Sequence, residues 1–174
     1  MGFVKPVTSP IVGSVKLTLI DGPVFEGPTL YRSTVGSLQY MSLTCLGVAY
    51  AVNKVCQFMH TLKVPHWQAV KRILHYLKHI AHLVLHFKSF SDNSLHAFTD
   101  ADWAGCPDDR RSTGGFCIFF CPNLVSWVSK KQSTIASSST EAEYKALANT
   151  AAELLWFQSL LEELDVFLPK PPTL

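Results

Sequence analysis

The sequence predicts an α+β chain in which a small helical subdomain is followed by three antiparallel strands and one long helix. Three observations predict it. Apolar residues recur at helical spacing from Tyr31 to Ile80. From Leu83 the pattern shifts to short β-branched and aromatic runs separated by turn residues. A 3.6-residue stripe then returns between Thr140 and Leu164. The 174 residues suffice for one ordinary domain or two small ones, and 48% hydrophobic with 16% charged residues is the composition of a chain with a packed core.

Residues 1–28 carry Pro6, Pro10, Pro23 and Pro28 with Gly13, Gly22 and Gly27, which breaks regular structure and predicts an extended leader. Tyr31, Val35, Leu38 and Met41 share one helical face, as do Val48, Val52, Val55, Cys56 and Met59, with a break near Cys45-Leu46-Gly47. Pro65 suits the first turn of a third helix. Its Trp67, Val70, Ile73, Leu74, Leu77 and Ile80 form an apolar face, with Lys71, Arg72, His75 and Lys78 on the other side.

Strand-like runs follow at Leu83–Phe87, Leu95–Thr99, Phe116–Phe120 and Leu124–Val128, the last three reading as a meander. Turn residues separate them at Asp92-Asn93, Pro107-Asp108-Asp109, Gly114-Gly115 and Pro122-Asn123. A Ser/Thr-rich loop, Ser133 to Thr140, leads into the long helix. Tyr144, Leu147, Ala148, Ala151, Leu154, Leu155, Gln158 and Leu161 line its predicted buried stripe. Pro169, Pro171 and Pro172 are expected to end order, with no strand after the helix. Trp67, Trp127 and Trp156 sit on apolar faces and are expected in the core.

A formal net charge of +2 does not by itself mark a nucleic-acid binder, because that footprint depends on clustered charge. Five scattered cysteines without a C-x-x-C pair favour reduced thiols and a cytoplasmic or nuclear location. The amino terminus has no charged-then-apolar signal pattern, and no apolar run approaches the ~20 residues of a spanning helix, so no membrane is expected. Met1-Gly2 lacks the Ser or Thr a myristoylation site needs, because Pro6 stands there.

The chemistry rests on carboxylates. A strand ending Phe98-Thr99-Asp100-Ala101-Asp102 places an acid at the mouth of a sheet, and Glu143 sits in the first turn of the helix that must cross that sheet. Mg²⁺ prefers carboxylate oxygens and water, and two such ions ~4 Å apart can clamp an in-line phosphodiester displacement. The competing structural readings are that Asp100 and Asp102 open a turn, and that Ser138 to Glu141 or Thr140 to Glu143 is a capping box.

The stretch from Phe98 to Gly115, FTDADWAGCPDDRRSTGG, closely resembles the opening of the ribonuclease H domain in plant copia-type LTR retrotransposons. Ser126-Trp127-Val128-Ser129-Lys130-Lys131-Gln132 and Ser138-Ser139-Thr140-Glu141-Ala142-Glu143-Tyr144 resemble its next two signatures. Upstream, the run from Tyr31 to Tyr40, YRSTVGSLQY, and Ala69-Val70-Lys71-Arg72-Ile73-Leu74 resemble the end of the reverse transcriptase in the same Pol polyprotein.

Between the Pro/Gly-rich leader over 1–28 and a Pro-rich tail over 166–174, the resemblance implies the carboxy-terminal helical region of a reverse transcriptase over 29–88 and a partial ribonuclease H-like domain over 93–165. It implies Mg²⁺-dependent hydrolysis of RNA in RNA–DNA hybrids during reverse transcription, at a site where four acids hold two ions. Asp100 and Glu143 would be the first two, as catalytic and metal-binding residues, with Glu141 as the cap. The third normally follows this helix in a Cys-Asp-Asn-like context and the fourth lies further on. Residues 1–174 contain neither, which implies negligible ribonuclease activity, and the polymerase's catalytic acids lie upstream in relatives. The alternative is a weak, non-specific nucleic-acid-binding remnant without catalysis. Cys45-Leu46-Gly47 stands where relatives usually carry Arg-Pro-Asp, which is expected to disturb the local turn.

Arg110, Arg111, Lys130 and Lys131, with the helix start at Ser138 and Ser139, are expected at one end of the sheet. Basic forks and free amides there suit the phosphates of a hybrid or other nucleic-acid backbone. Lys71 and Arg72 are second candidates, solvated charge being the alternative for all of them, and an intact Pol copy is a conceivable protein partner. His75, His79, His82 and His86 could form a Zn²⁺ stripe only if one helix ran through them. The expected helix stops near Ile80, so zinc is disfavoured.

Overall fold

The computed structural model describes residues 7–13, 17–90 and 93–174. Pro6 and Asp92, used above as punctuation, lie outside them. The chain forms two compact units, Met1–Val84 and Leu85–Leu174.

Unit 1 holds α1 (Pro28–Met41), α2 (Leu46–Cys56) and α3 (Val64–Ile80). The helical spacing delivers its core: Tyr31, Val35 and Leu38 from α1, Val48, Ala51, Val52 and Val55 from α2, and Val70 and Ile73 from α3 are buried together. The Tyr31 hydroxyl, buried with its ring, donates to the Val55 carbonyl at 2.8 Å and joins α1 to α2. Pro28 opens α1 rather than closing the leader. The Cys45-Leu46-Gly47 departure leaves α2 intact, because Leu46 starts the helix and Gly47 leaves room for Tyr76, whose hydroxyl would lie 2.9 Å from an added Cβ.

The described leader residues are docked rather than simply extended. Val24 pairs with Lys63, and Phe25 stacks on Trp67 with centroids 5.1 Å apart. Gly22 adopts φ +91°, and a Cβ there would meet Pro65 at 2.7 Å, so glycine is required twice over. His66, an unpredicted core residue, accepts from the Lys63 amide on Nδ1 at 3.2 Å, and its Nε2 lies 2.9 Å from the Thr18 carbonyl.

The run Leu83–Phe87 is not a strand. Among the described residues no strand pairs with its backbone, and Leu83, Val84, Leu85 and Phe87 are exposed.

Unit 2 is an antiparallel sheet in the order β1 (Leu95–Ala101), β2 (Thr113–Phe120), β3 (Asn123–Lys131), with α4 (Ser139–Glu163) packed on β1 and β2. Leu95, Ala97, Ile118 and Leu154 centre its core, with Phe116, Val125, Phe157 and Leu161 around them. Gly114-Gly115 is strand, not turn: the pair lies in β2 opposite Ala101 and Asp100. A Cβ on Gly115 would come 2.7 Å from the Val128 carbonyl, so the glycine lets the strands approach.

Helix α4 buries Ala142, Ala146, Thr150 and Leu154, a face of mostly small residues. Tyr144, Ala148 and Leu155 from the predicted stripe face solvent, with Leu147 at the margin, and Trp156 is 54% exposed rather than core. The sheet beneath is floored by glycines, so small side chains fit there and the large ones turn away.

The Pro-rich tail is ordered. Leu168 packs into the unit 2 core, and the Asn93 amide donates to the Phe167 carbonyl at 3.1 Å. Thr173 then pairs in parallel with His96: the Ala97 N–H donates to the Thr173 carbonyl at 2.9 Å and the Thr173 N–H to the Leu95 carbonyl at 3.1 Å. Among the described residues, no helix is long and apolar enough to cross a membrane.

Candidate metal and nucleic-acid site

Asp100 and Asp102 at the end of β1 and Glu141 and Glu143 at the start of α4 frame one end of the sheet, and the fold uses Asp102 and Glu141 structurally. Asp102 lies just past β1, where its carboxylate accepts the Thr113 N–H at 2.6 Å and its own N–H donates to the Thr113 carbonyl at 3.0 Å. It fixes how the chain leaves the strand. A Cβ on Gly105 would collide with that carboxylate, which explains a glycine three residues on.

Ser138 and Glu141 cap the start of α4. The Ser138 hydroxyl accepts the Glu141 N–H at 3.1 Å, and the Glu141 carboxylate accepts the Ser137 N–H at 2.7 Å. Lys145, one turn on, is 2.7 Å from the same carboxylate. The Lys145 ammonium and the Ser137 amide hold the Glu141 pKa down at about 2. Of the two candidate boxes, the Ser138–Glu141 pair makes the N-cap bond, while the return bond of its carboxylate goes to the Ser137 rather than the Ser138 N–H.

Asp100 and Glu143 remain, both exposed and neither with a hydrogen-bond or ionic partner among the described residues. Together with Thr99, Thr140, Tyr144 and Leu147 they line one cavity of about 400 Å³ where β1 meets α4. Glu143 is the fifth residue of α4, one position deeper than its spacing implied, because the helix starts at Ser139. No third His, Cys, Asp or Glu joins them in a metal-ligating group among the described residues.

Other motif residues set this geometry. The Trp103 indole N–H donates to the Ala136 carbonyl at 3.1 Å, tying the end of β1 to the loop before α4. The Gln132 side chain donates to the Ala142 carbonyl at 2.8 Å, tying β3 to the first turns of the helix. Thr99 donates to the Gly115 carbonyl at 3.0 Å.

The basic candidates divide. Arg110, at φ 60° in its turn, and Lys130, in β3, are exposed. Lys131 instead reaches Asp109 at 2.8 Å and the buried Cys106 sulfur at 3.0 Å, while Arg111 lies 3.6 Å from Asp109. Burial pushes the Asp109 carboxyl up, but the Lys131, Cys106 and Arg111 contacts outweigh it and bring its pKa to about 2. This cluster was not legible in sequence, because its members meet only through the β2–β3 register. Ser138 and Ser139 are exposed at the start of α4.

In unit 1, Lys71 is exposed, whereas the Arg72 guanidinium donates to the Ser9 carbonyl and hydroxyl, both at 3.0 Å. Helix α3 ends at Ile80, so His75 and His79 lie on it and His82 and His86 beyond it.

No family model and no solved structure matches the chain. It is 47% and 46% identical, over 170 residues each, to the retrovirus-related Pol polyproteins from transposons RE1 and RE2 of Arabidopsis thaliana, alignments covering 98% of this chain and 12% of each relative. It is 40% identical over 169 residues to the Pol polyprotein from transposon TNT 1-94 of Nicotiana tabacum, covering 93% of this chain and 13% of that one. The alignments run through both units, so helical region and sheet belong together as one segment. The chain is a member of the retrovirus-related Pol polyproteins of copia-type transposons, spanning 12–13% of the length of these relatives.

Proposed function

We propose that unit 2 is part of a ribonuclease H domain, in which Asp100 and Glu143 supply two carboxylates of a Mg²⁺-dependent site that hydrolyses the RNA strand of RNA–DNA hybrids. The observation that carries this reading is the sorting of four acids: Asp102 and Glu141 are consumed by backbone amides, while Asp100 and Glu143 share a cavity untied. Two carboxylates beside two threonine hydroxyls are hard oxygen donors, the set Mg²⁺ prefers, and the ion commonly takes only one or two carboxylates with water and phosphate completing its shell. The residues fit a hydrated ion. When bound, Mg²⁺ supplies Lewis acidity to a phosphoryl oxygen and lowers the pKa of its water.

What the chain's own residues do follows from placement. Asp100 and Glu143 hold negative charge at the mouth of the cavity, the capped start of α4 orients Glu143, and Lys130 and Arg110 offer cations to phosphate along the same end of the sheet. An A-form-like hybrid is read by shape and 2′-hydroxyls, so this surface selects duplex type rather than sequence. Among the described residues two carboxylates line the cavity, where the two-ion site implied by the resemblance needs four, so on this reading hydrolysis by residues 1–174 alone is negligible and their interaction with hybrid is weak and salt-dependent.

Mn²⁺ titration followed by NMR tests the metal reading. Residues around Asp100 and Glu143 broaden first, and Asp100→Asn with Glu143→Gln removes the effect. Broadening elsewhere alone sinks it. Hybrid cleavage above background that disappears with Asp100→Asn would show the site to be complete. Binding of a hybrid without selective broadening would leave the non-catalytic remnant as the better description.

A further inference from the structure

We propose that Cys106 and Lys131 form an oxidative modification site, in which a hydroperoxide converts the contact between them into a reversible covalent sulfur–nitrogen link. The inference does not rest on the hybrid reading.

The pair is assembled from distant parts of unit 2. Cys106 lies in the β1–β2 connection, and Lys131 ends β3 opposite Thr113. The connection folds back through the Cys106 N–H to the Arg111 carbonyl at 3.2 Å and the Arg110 N–H to the Cys106 carbonyl at 2.9 Å. These bonds fix the sulfur. Asp109, on the same turn, holds the Lys131 Nζ at 2.8 Å, which fixes the amine 3.0 Å from Sγ. Cys106 is 3% exposed, whereas the Lys131 side chain is 20% exposed, and the polar groups at the sulfur are the Lys131 amine and the Asp109 carboxylate.

That arrangement favours two steps. The Lys131 ammonium donates to the sulfur, and the thiolate is the form that attacks peroxide. The thiolate attacks one peroxide oxygen: an S–O bond forms, the O–O bond breaks, and hydroxide leaves and takes a proton as water. Sulfur is oxidised by two electrons to sulfenic acid and the peroxide is reduced. The Lys131 amine, having released its proton to solvent, then attacks sulfur. An S–N bond forms, the S–O bond breaks, and a second water leaves with protons from the nitrogen and the medium. Thiol, amine and one hydrogen peroxide thus give a sulfenamide and two waters. A thiol reductant reverses it by attacking sulfur and releasing the amine.

Burial pushes the Cys56 thiol up to about 11 and raises that of Cys117, which slows both toward peroxide. Because the second step needs the free amine, which Asp109 keeps protonated, the link forms faster as pH rises from 7 to 9.

The test is intact-mass and peptide mass spectrometry of the 174-residue protein after a small excess of hydrogen peroxide at pH 8. The expected result is a loss of about 2 Da, a linked peptide pair joining Cys106 to an uncleaved Lys131, and full reversal by dithiothreitol. Cys106→Ser abolishes the link. Lys131→Arg keeps the cation but not the nucleophile, so Cys106 there stops at sulfenic acid and takes up dimedone. The proposal is overturned if wild-type Cys106 labels with dimedone as fully as it does in Lys131→Arg, if it is not oxidised, or if it links elsewhere.

Discussion

Gly114 lies directly beneath Ala146: a Cβ built on the glycine would come 3.3 Å from the alanine Cβ, tighter than ordinary packing. Helix and sheet are therefore in closest register beside the strand residues that flank the carboxylate cavity. Gly114→Ala should destabilise unit 2 by about 1 kcal/mol as α4 lifts, and Gly115→Ala by about 2–3 kcal/mol, because its clash is with the Val128 carbonyl rather than a side chain. Urea unfolding followed by Trp127 and Trp156 fluorescence measures both.

Asp100 and Asp102, two residues apart, should respond unequally to the same substitution. Asp102→Ala strands the half-buried Thr113 N–H and should lower stability by roughly 1–3 kcal/mol. Asp100→Ala removes an unpartnered exposed carboxylate and should leave stability within about 0.5 kcal/mol. Equal losses in parallel unfolding curves would refute the division of labour.

Acid should weaken unit 2 through Glu141 and Asp109. Both have pKa values near 2, below their ordinary values of 4.5 and 3.8. A depressed carboxylate adds stability that is complete above its unfolded pKa and is lost as pH falls through the folded one. The midpoint of thermal unfolding should therefore fall from about pH 4.5 toward pH 2, and Glu141→Gln should flatten the upper part of that window. A pH dependence unchanged in Glu141→Gln counts against the cap.

Arg72 should act as a clasp on the leader. Arg72→Ala removes two hydrogen bonds to Ser9 and should increase cleavage by a non-specific protease within residues 7–13 several-fold. Lys71→Ala, one residue away and exposed, should leave the cleavage rate unchanged.

Local periodicity carried much of the fold. Tyr31, Val35 and Leu38, or Val48, Val52 and Val55, are spaced so that only one helical face can be buried, and that face is the one buried. Where two faces of a helix compete, spacing loses its force. Helix α4 has a bulky stripe through Tyr144 and Leu155 and a small one through Ala142 and Ala146, and the choice is made by glycines in a strand. Gly114-Gly115 misleads for the same reason, since a residue selected for close approach looks like one selected for a turn.

Leu83–Phe87 has strand composition but no strand to pair with. Proline spacing likewise hid the return of Thr173 to β1. At the site, the motifs located the acids, yet only the amides of Thr113 and Ser137 reveal which two are occupied.

The pairing of Thr173 with His96 covers only the first part of the outer side of β1. The amides of Thr99 and Ala101 share the orientation of the Ala97 amide and run on beyond it, a short rim with donors and acceptors still unspent. Such a rim accepts any extended backbone regardless of its side chains. Growth by sheet extension is therefore the expected behaviour of concentrated solutions, and a proline or lysine in place of Thr99 should lower the light scattering that reports it.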